Sequence, residues 1–187
     1  QLAMRGAPKA AQPACGAGCD ACCRQPVAVT FLEVATIVDR FRRGGLNYAR
    51  QFAELTDGKS FAQAWAMKLA CPLLDSDGRC SVYTARPIVC ATHHSLVRAA
   101  CKGGPEAIVY RSGRLVALQS GVLVGLQKVL RGLGLDSRLV YLDKAMIACV
   151  DDPGLVDRWL VGERLPESLR PSDPLGDAED ERDPSVS

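Results

Sequence analysis

The sequence has no apolar run long enough to cross a membrane. The longest, Leu115 to Leu126, is interrupted by Gln119, Ser120 and Gly121, and a span needs roughly 20 consecutive apolar residues. Aromatic residues are scarce, at 5%, and there are only two histidines, His93 and His94. The first 14 residues lack the apolar segment of a secretory signal, so a cytoplasmic location is expected. No serine elbow, phosphate-cradling glycine loop or HExxH helix occurs, which leaves a hydrolase, kinase or zinc protease without visible machinery. No internal repeat is present at a solenoid period.

What is present is cysteine. Nine occur in 187 residues, and most fall in two stretches. The first, CGAGCDACC, holds Cys15, Cys19, Cys22 and Cys23; the second, CPLLDSDGRCSVYTARPIVC, holds Cys71, Cys80 and Cys90, with Cys101 following. Thiolates two or three residues apart can wrap one soft cation, because a tight turn brings both sulfurs to about 2.3 Å from it. The adjacent pair Cys22 and Cys23 points to two ligand sets or one spare thiol, since neighbouring side chains diverge. A disulfide framework is the competing reading. It is opposed by the odd count, the missing signal and a chain long enough to bury its own core. The eight clustered cysteines could supply two four-thiolate sites, or one iron–sulfur cluster with thiols to spare.

Net charge is +2, but it is unevenly placed. From Glu163 onward there are eight acidic and three basic residues, which leaves the body near +7. Two four-thiolate zinc sites would consume part of that surplus, so nucleic acid is not an expected partner and the implied partner is a metal ion. The segment PESLRPSDPLGDAEDERDPSVS, with four prolines, reads as a disordered acidic tail over 164–187. The remaining residues, 14–163, read as one mostly α domain with irregular cysteine-rich loops.

Helical spacing supports that class. Thr30 and Glu33 stand in the capping-box relation, and Phe31, Val34, Ile37, Val38 and Phe41 then share a face up to Gly44 and Gly45. Tyr48, Phe52 and Leu55 continue at helical spacing as far as Asp57 and Gly58, and Phe61, Trp65 and Leu69 mark another helix. A turn is expected at 75–78, where DSDG is too short for a calcium loop. Leu115, Leu118, Val122, Leu126, Val129 and Leu133 mark a long helix. Asp136 or Ser137 is placed to cap the next, with Leu139, Leu142, Met146 and Val150 inward, and Leu155, Trp159 and Leu160 line a last short one. His93 and His94 read as a solvated or capping pair that could complete a mixed site, and Arg86 as a possible donor to metal-bound sulfur.

The succession CGAGCDACC, CPLL and GRCSVYTARPIVC resembles the YkgJ-like cysteine-cluster family, named for a CxxCxxCC motif. The likeness extends through VAVTFLE and YLDKAMIACVDDPGLVDRWLVGE, over roughly residues 15–163. Two departures are visible: CxxxC where the nominal spacing is CxxC, and Ala91 where many members carry arginine. The resemblance implies zinc or iron chelation by Cys15, Cys19, Cys22, Cys23, Cys71, Cys80, Cys90 and Cys101. Some members are labelled iron–sulfur oxidoreductases, and part of a flagellin lysine methylase is similar in style. An iron–sulfur protein with an electron-transfer or oxidoreductase role is therefore the alternative expectation. Cys149, beside Ile147 and Val150 in an apolar helical stretch, is expected to be a buried thiol outside the ligand set.

Overall fold

A computed structural model describes residues 13–16, 18–41, 46–102 and 111–171. The expected helix stop at Gly44 and Gly45, and the segment 172–187, lie outside these residues. Among the described residues the chain is mostly α. The helices are α1 (Phe31–Phe41), α2 (Leu46–Thr56), α3 (Phe61–Ala66), α4 (Ile88–Thr92), α5 (Gly113–Gly132), α6 (Leu142–Asp151) and α7 (Leu155–Leu160). Two strands, β1 (Ala28–Thr30) and β2 (Leu139–Tyr141), and four short 3-10 turns accompany them.

The strands were not foreseen in the spacing. They pair antiparallel, Ala28 with Tyr141, Val29 with Val140 and Thr30 with Leu139, and the Leu142 N–H donates to the Val27 carbonyl at 3.0 Å. Three-residue strands offer too few positions for alternation to be read, although β-branched Val29, Thr30 and Val140 suit a pleated ladder. Leu139 therefore belongs to a strand, and α6 begins at Leu142 without a cap from Asp136 or Ser137. Each strand runs directly into a helix, β1 into α1 and β2 into α6, so the ladder sets those two helices side by side.

The core lies between them. Val29, Phe31, Val34, Ile37, Val140, Ala145, Met146 and Cys149 are fully buried, with Trp159 of α7 closing one end. The Phe31 and Trp159 rings meet edge to face with centroids 5.3 Å apart, and the Trp159 indole N–H donates to the Asp136 carbonyl. Burying each large apolar side chain stabilises by about 1.5–3 kcal/mol. Helix α2 packs on α6 through buried Phe52, and the spacing-derived stop falls at Gly58, whose φ is +65°. Helix α3 is opened by a reciprocal capping box between Ser60 and Gln63. It ends before Leu69, because Lys68 takes a left-handed φ of 54°.

Helix α5 forms where expected, but its expected apolar stripe is divided. Leu130 is buried and Leu115 and Leu126 are half-buried, whereas Leu118, Val122, Val129 and Leu133 are exposed. The helix is apolar on more than one side, so spacing alone does not choose the face that α4 and the core take up.

Beyond α7 the chain is still packed. Leu165 and Leu169, within the stretch that reads from composition as an acidic tail, are buried, and Glu167–Leu169 forms a 3-10 turn. Truncation after Pro171 is expected to leave the thermal midpoint and the metal content unchanged, checked by calorimetry and elemental analysis.

Candidate metal centre

The first cysteine segment is held by its backbone. The Ala14 N–H donates to the Ser95 carbonyl at 2.8 Å, and the Ser95 N–H donates to Cys15 Sγ at 3.4 Å. Gly18, at φ +75°, turns the chain where a side chain would be strained. A 3-10 turn, Ala21–Arg24, then presents Cys22 and Cys23, braced by an Asp20–Arg24 ion pair at 2.8 Å. The Cys23 carbonyl accepts the Cys71 N–H at 2.7 Å, which ties the first segment to the second.

In the second segment Leu74 and Cys80 form an antiparallel bridge around the DSDG turn. Asp75 Oδ1 accepts the N–H groups of Asp77 and Arg79, and Gly78 takes a φ of +71°. This bridge folds the loop back on itself, with Cys71 and Cys80 on its two arms and both packed against the core. A 3-10 turn at Tyr83–Ala85 follows, and Arg86 lies over the Tyr83 ring at 4.1 Å. Pro87 then opens α4, which carries Cys90.

Glu33 orients that helix, a role that its capping position alone does not announce. One carboxylate oxygen accepts both the N–H and the hydroxyl of Thr30 at 2.8 Å, and the other accepts the Ile88 N–H at 2.7 Å. A single side chain thus joins the β1–α1 junction to the start of α4.

All nine cysteines are free thiols. Burial pushes Cys90 well above the ordinary thiol range, with Cys71, Cys22 and Cys80 as electrostatic neighbours adding to it. Burial also pushes Cys71 up to about 11, against a backbone hydrogen bond from Leu73, with Cys80, Asp143 and Cys22 nearby. Cys22 is raised by a hydrogen bond with Cys23 and then by burial, and Arg86 opposes this. Cys15 is raised by burial; Ser95 opposes it, and Cys19, Cys101 and Cys22 add to it. Cys71, Cys80 and Cys90 are therefore neighbours of one another, Cys15 lies near Cys19 and Cys101, and Cys22 adjoins both groups. Cys149 lies apart in the core.

Of the solvated or capping pair expected, His94 takes the capping role and is not solvated. His94 is 3% exposed. One ring nitrogen meets the Thr92 carbonyl at 2.9 Å while Nε2 accepts the Ser112 N–H at 2.8 Å. Nδ1–H is then the donor to Thr92, so the ring ties the end of α4 to Ser112 at the start of α5. Burial pushes His93 down to about 4, aided by Arg111 and His94, so its ring is neutral.

Asp143 was not singled out by any motif. It is buried at the start of α6, and burial raises its carboxyl above the usual range against hydrogen bonds from its own N–H and that of Lys144. Its Oδ2 has no hydrogen-bond partner, and it shares with Cys71 and Phe52 the wall of a cavity of about 10 Å³, the space of one water.

Among the described residues, no three His, Cys, Asp or Glu side chains stand close enough to hold an ion as they are placed. The donor chemistry nevertheless fits one: soft thiols on two segments tied by the Cys71–Cys23 backbone bond, with Cys71 and Cys80 against the core, are the ligands that zinc, iron and iron–sulfur clusters take. Residues 14–107 match the CxxCxxCC family model, described as "Putative zinc- or iron-chelating domain". The chain belongs to the CxxCxxCC family. All eight clustered cysteines lie inside the matched residues, and Cys149 lies outside them. No curated protein and no solved structure matches the chain. The CxxCxxCC match ends before α5, so β2, α6 and α7, which complete the core, lie beyond it. Among the described residues no helix is long and apolar enough to cross a membrane.

Proposed function

We propose that this CxxCxxCC protein binds zinc or iron through thiolates of two cysteine-rich segments. Cys15, Cys19, Cys22 and Cys23 come from the first, and Cys71, Cys80, Cys90 and Cys101 from the second. The observation that carries the reading is convergence. Cys22, Cys71, Cys80 and Cys90 stand on a 3-10 turn, the two arms of a folded-back loop and a helix, and they are electrostatic neighbours. A bound ion would add a crosslink between these segments, and structural thiolate sites contribute about 10–16 kcal/mol of binding free energy. Nine free thiols suit a reducing compartment, which favours the cytoplasm.

The second reading is an iron–sulfur cluster on the same four thiols, serving electron transfer or an oxidoreductase. Burial around Cys71 and Cys90 favours it, because shielding from solvent protects a cluster and tunes its potential. Elemental analysis, a visible spectrum and a sulfide assay on anaerobically purified protein separate the readings. Colourless protein with zinc supports simple chelation; brown protein with acid-labile sulfide supports the cluster. Protein that is fully folded and free of metal would overturn both. Cys90→Ser is expected to lose metal, whereas Cys149→Ala should retain it and cost about 1–2 kcal/mol. Equal metal loss from the two variants would refute the ligand set.

A further inference from the structure

Helix α5 has a covered side, which meets α4 and reaches the core through Leu130, and an open side. Of the twelve exposed large apolar side chains among the described residues, five, Leu118, Val122, Val124, Val129 and Leu133, lie on α5 and its C-cap. At 3.6 residues per turn, Leu118, Val122 and Val129 stand in one row, and Ala117 and Val124 in another. Gly121 and Gly125 lie between the two rows, so the open side is a shallow socket with a backbone floor and apolar walls. A Cβ built on either glycine would meet no group within 4 Å, and neither glycine takes a positive φ. Glycine is a poor helix former, and here neither the backbone conformation nor packing within the chain calls for it. The charges around the socket have one sign. Arg114, Lys128 and Arg131 are exposed, and α5 has no acidic residue among its twenty. Arg114 and Lys128 share the line of the two glycines, at 4-3 spacing through Leu118, and bracket the socket about 21 Å apart along the axis. Among the described residues no ion pair engages either cation.

We infer that the open side of α5 is a docking surface for an acidic amphipathic helix of another protein. The partner seats large apolar side chains over Gly121 and Gly125 and sets carboxylates against Arg114 and Lys128. Contiguous apolar surface left in water marks an interaction site, and shape and charge choose the occupant. A lipid surface is broad, and it gains from large side chains in the very positions that glycine holds here. A helix gains from the glycines, because its ridge of side chains needs a groove to approach closely. A second copy would lay its own α5 on this one and set Arg114 and Lys128 against the same cations, and like charges in an interface oppose it. An acidic helix satisfies both requirements, with apolar anchors at helical spacing lying in the groove and carboxylates at its ends. The surface faces away from α4, which carries Cys90, so the inference does not rest on the metal-binding reading.

The test is fluorescence anisotropy of a labelled synthetic peptide, three heptads long, with leucine along its seam and glutamate at both seam ends and on its flanks. The full chain as purified is the titrant. The wild type is expected to bind it saturably, less tightly as salt rises, and at least tenfold more tightly than the same peptide with lysine for every glutamate. Gly125→Leu fills the socket and should weaken binding at least tenfold. It should also raise the melting temperature, because leucine is the better helix former and meets nothing there, which separates a blocked socket from a misfolded chain. Arg114→Glu with Lys128→Glu should lose the glutamate peptide and gain the lysine one. No binding by the wild type, equal binding by Gly125→Leu, or no preference between the peptides would overturn the docking surface. Three results would overturn the occupant. A dimer in sedimentation that Gly125→Leu abolishes would assign the face to a second copy. Adsorption to vesicles of phosphatidylcholine and phosphatidylglycerol that the double charge variant abolishes would assign it to lipid. Peptide binding that appears only on truncation after Pro171 would assign it to the chain's own acidic segment. Metal content should be the same in all these forms, so failure here leaves the metal-binding reading standing.

Discussion

Replacing Glu33 with alanine is expected to cost about 3–5 kcal/mol and to lower metal retention, although Glu33 is not among the proposed ligands. Its carboxylate accepts three hydrogen bonds, from the Thr30 N–H, the Thr30 hydroxyl and the Ile88 N–H. Hydrogen bonds to a charged group contribute about 1.5–3 kcal/mol each, and an orphaned buried donor costs about 1–3 kcal/mol. Thr30 is fully buried, so its N–H has no water to turn to. The loss should reach the site because Ile88 is the first residue of α4 and Cys90 is the third. Glu33→Gln keeps one carbonyl oxygen and should retain either the Thr30 bonds or the Ile88 bond, at roughly half the cost. Denaturant unfolding and metal stoichiometry of the two variants check this. An alanine variant with wild-type stability would show that α4 is held by packing alone.

Asp136→Ala should cost about 2–4 kcal/mol, because the backbone N–H groups of Arg138 and Leu165 lose their acceptor and an orphaned donor costs about 1–3 kcal/mol. The Asp136 side chain is only 4% exposed. It accepts from the Arg138 backbone N–H and guanidinium and from the Leu165 N–H at 3.1 Å. Arg138 also reaches Glu167 and the Leu165 carbonyl, so the removal frees the chain that carries Leu165 and Leu169 into the core. Burial works against ionisation of Asp136, but the bonds from Arg138 and Leu165 prevail and hold its carboxyl below the usual carboxylate range. A group depressed in the folded state contributes stability above its unfolded pKa, near 3.9, and loses it as pH falls through the folded value. The gap between wild type and Asp136→Asn should therefore be full at pH 6 and narrow progressively below about pH 4. Melting curves across that range decide it; a gap independent of pH would refute the electrostatic part.

The helices other than α4 were legible because each repeats an apolar side chain often enough to be read; α4, five residues long, is too short for that. Phe31, Val34, Ile37 and Val38 all turn inward as their spacing requires. Helix α5 shows the limit, since Val122 and Leu126 are equally apolar and only the neighbouring α4 decides which side is covered. The strands were missed because the pairing of Val29 with Val140 is a contact between residues more than a hundred positions apart, each in a segment too short for periodicity. The cysteine positions were visible as candidates from spacing. What spacing cannot express is which thiols are neighbours, because that depends on the Cys23–Cys71 and Ala14–Ser95 backbone bonds. Glu33 was read as a helix start and Asp136 as another. Their distant partners, Ile88 and Leu165, are products of the tertiary fold.

The antiparallel pairing of β1 with β2 bears on where this protein can be cut. The span matched by the family model, 14–107, contains β1 and α1 but neither β2 nor α6. Excised on its own, that span would carry an unpaired strand edge and half of an apolar interface, the features that drive a fragment to associate with other chains. The portable module of this protein is therefore larger than its cysteine signature: a graft must carry the second half of the ladder along with the thiols.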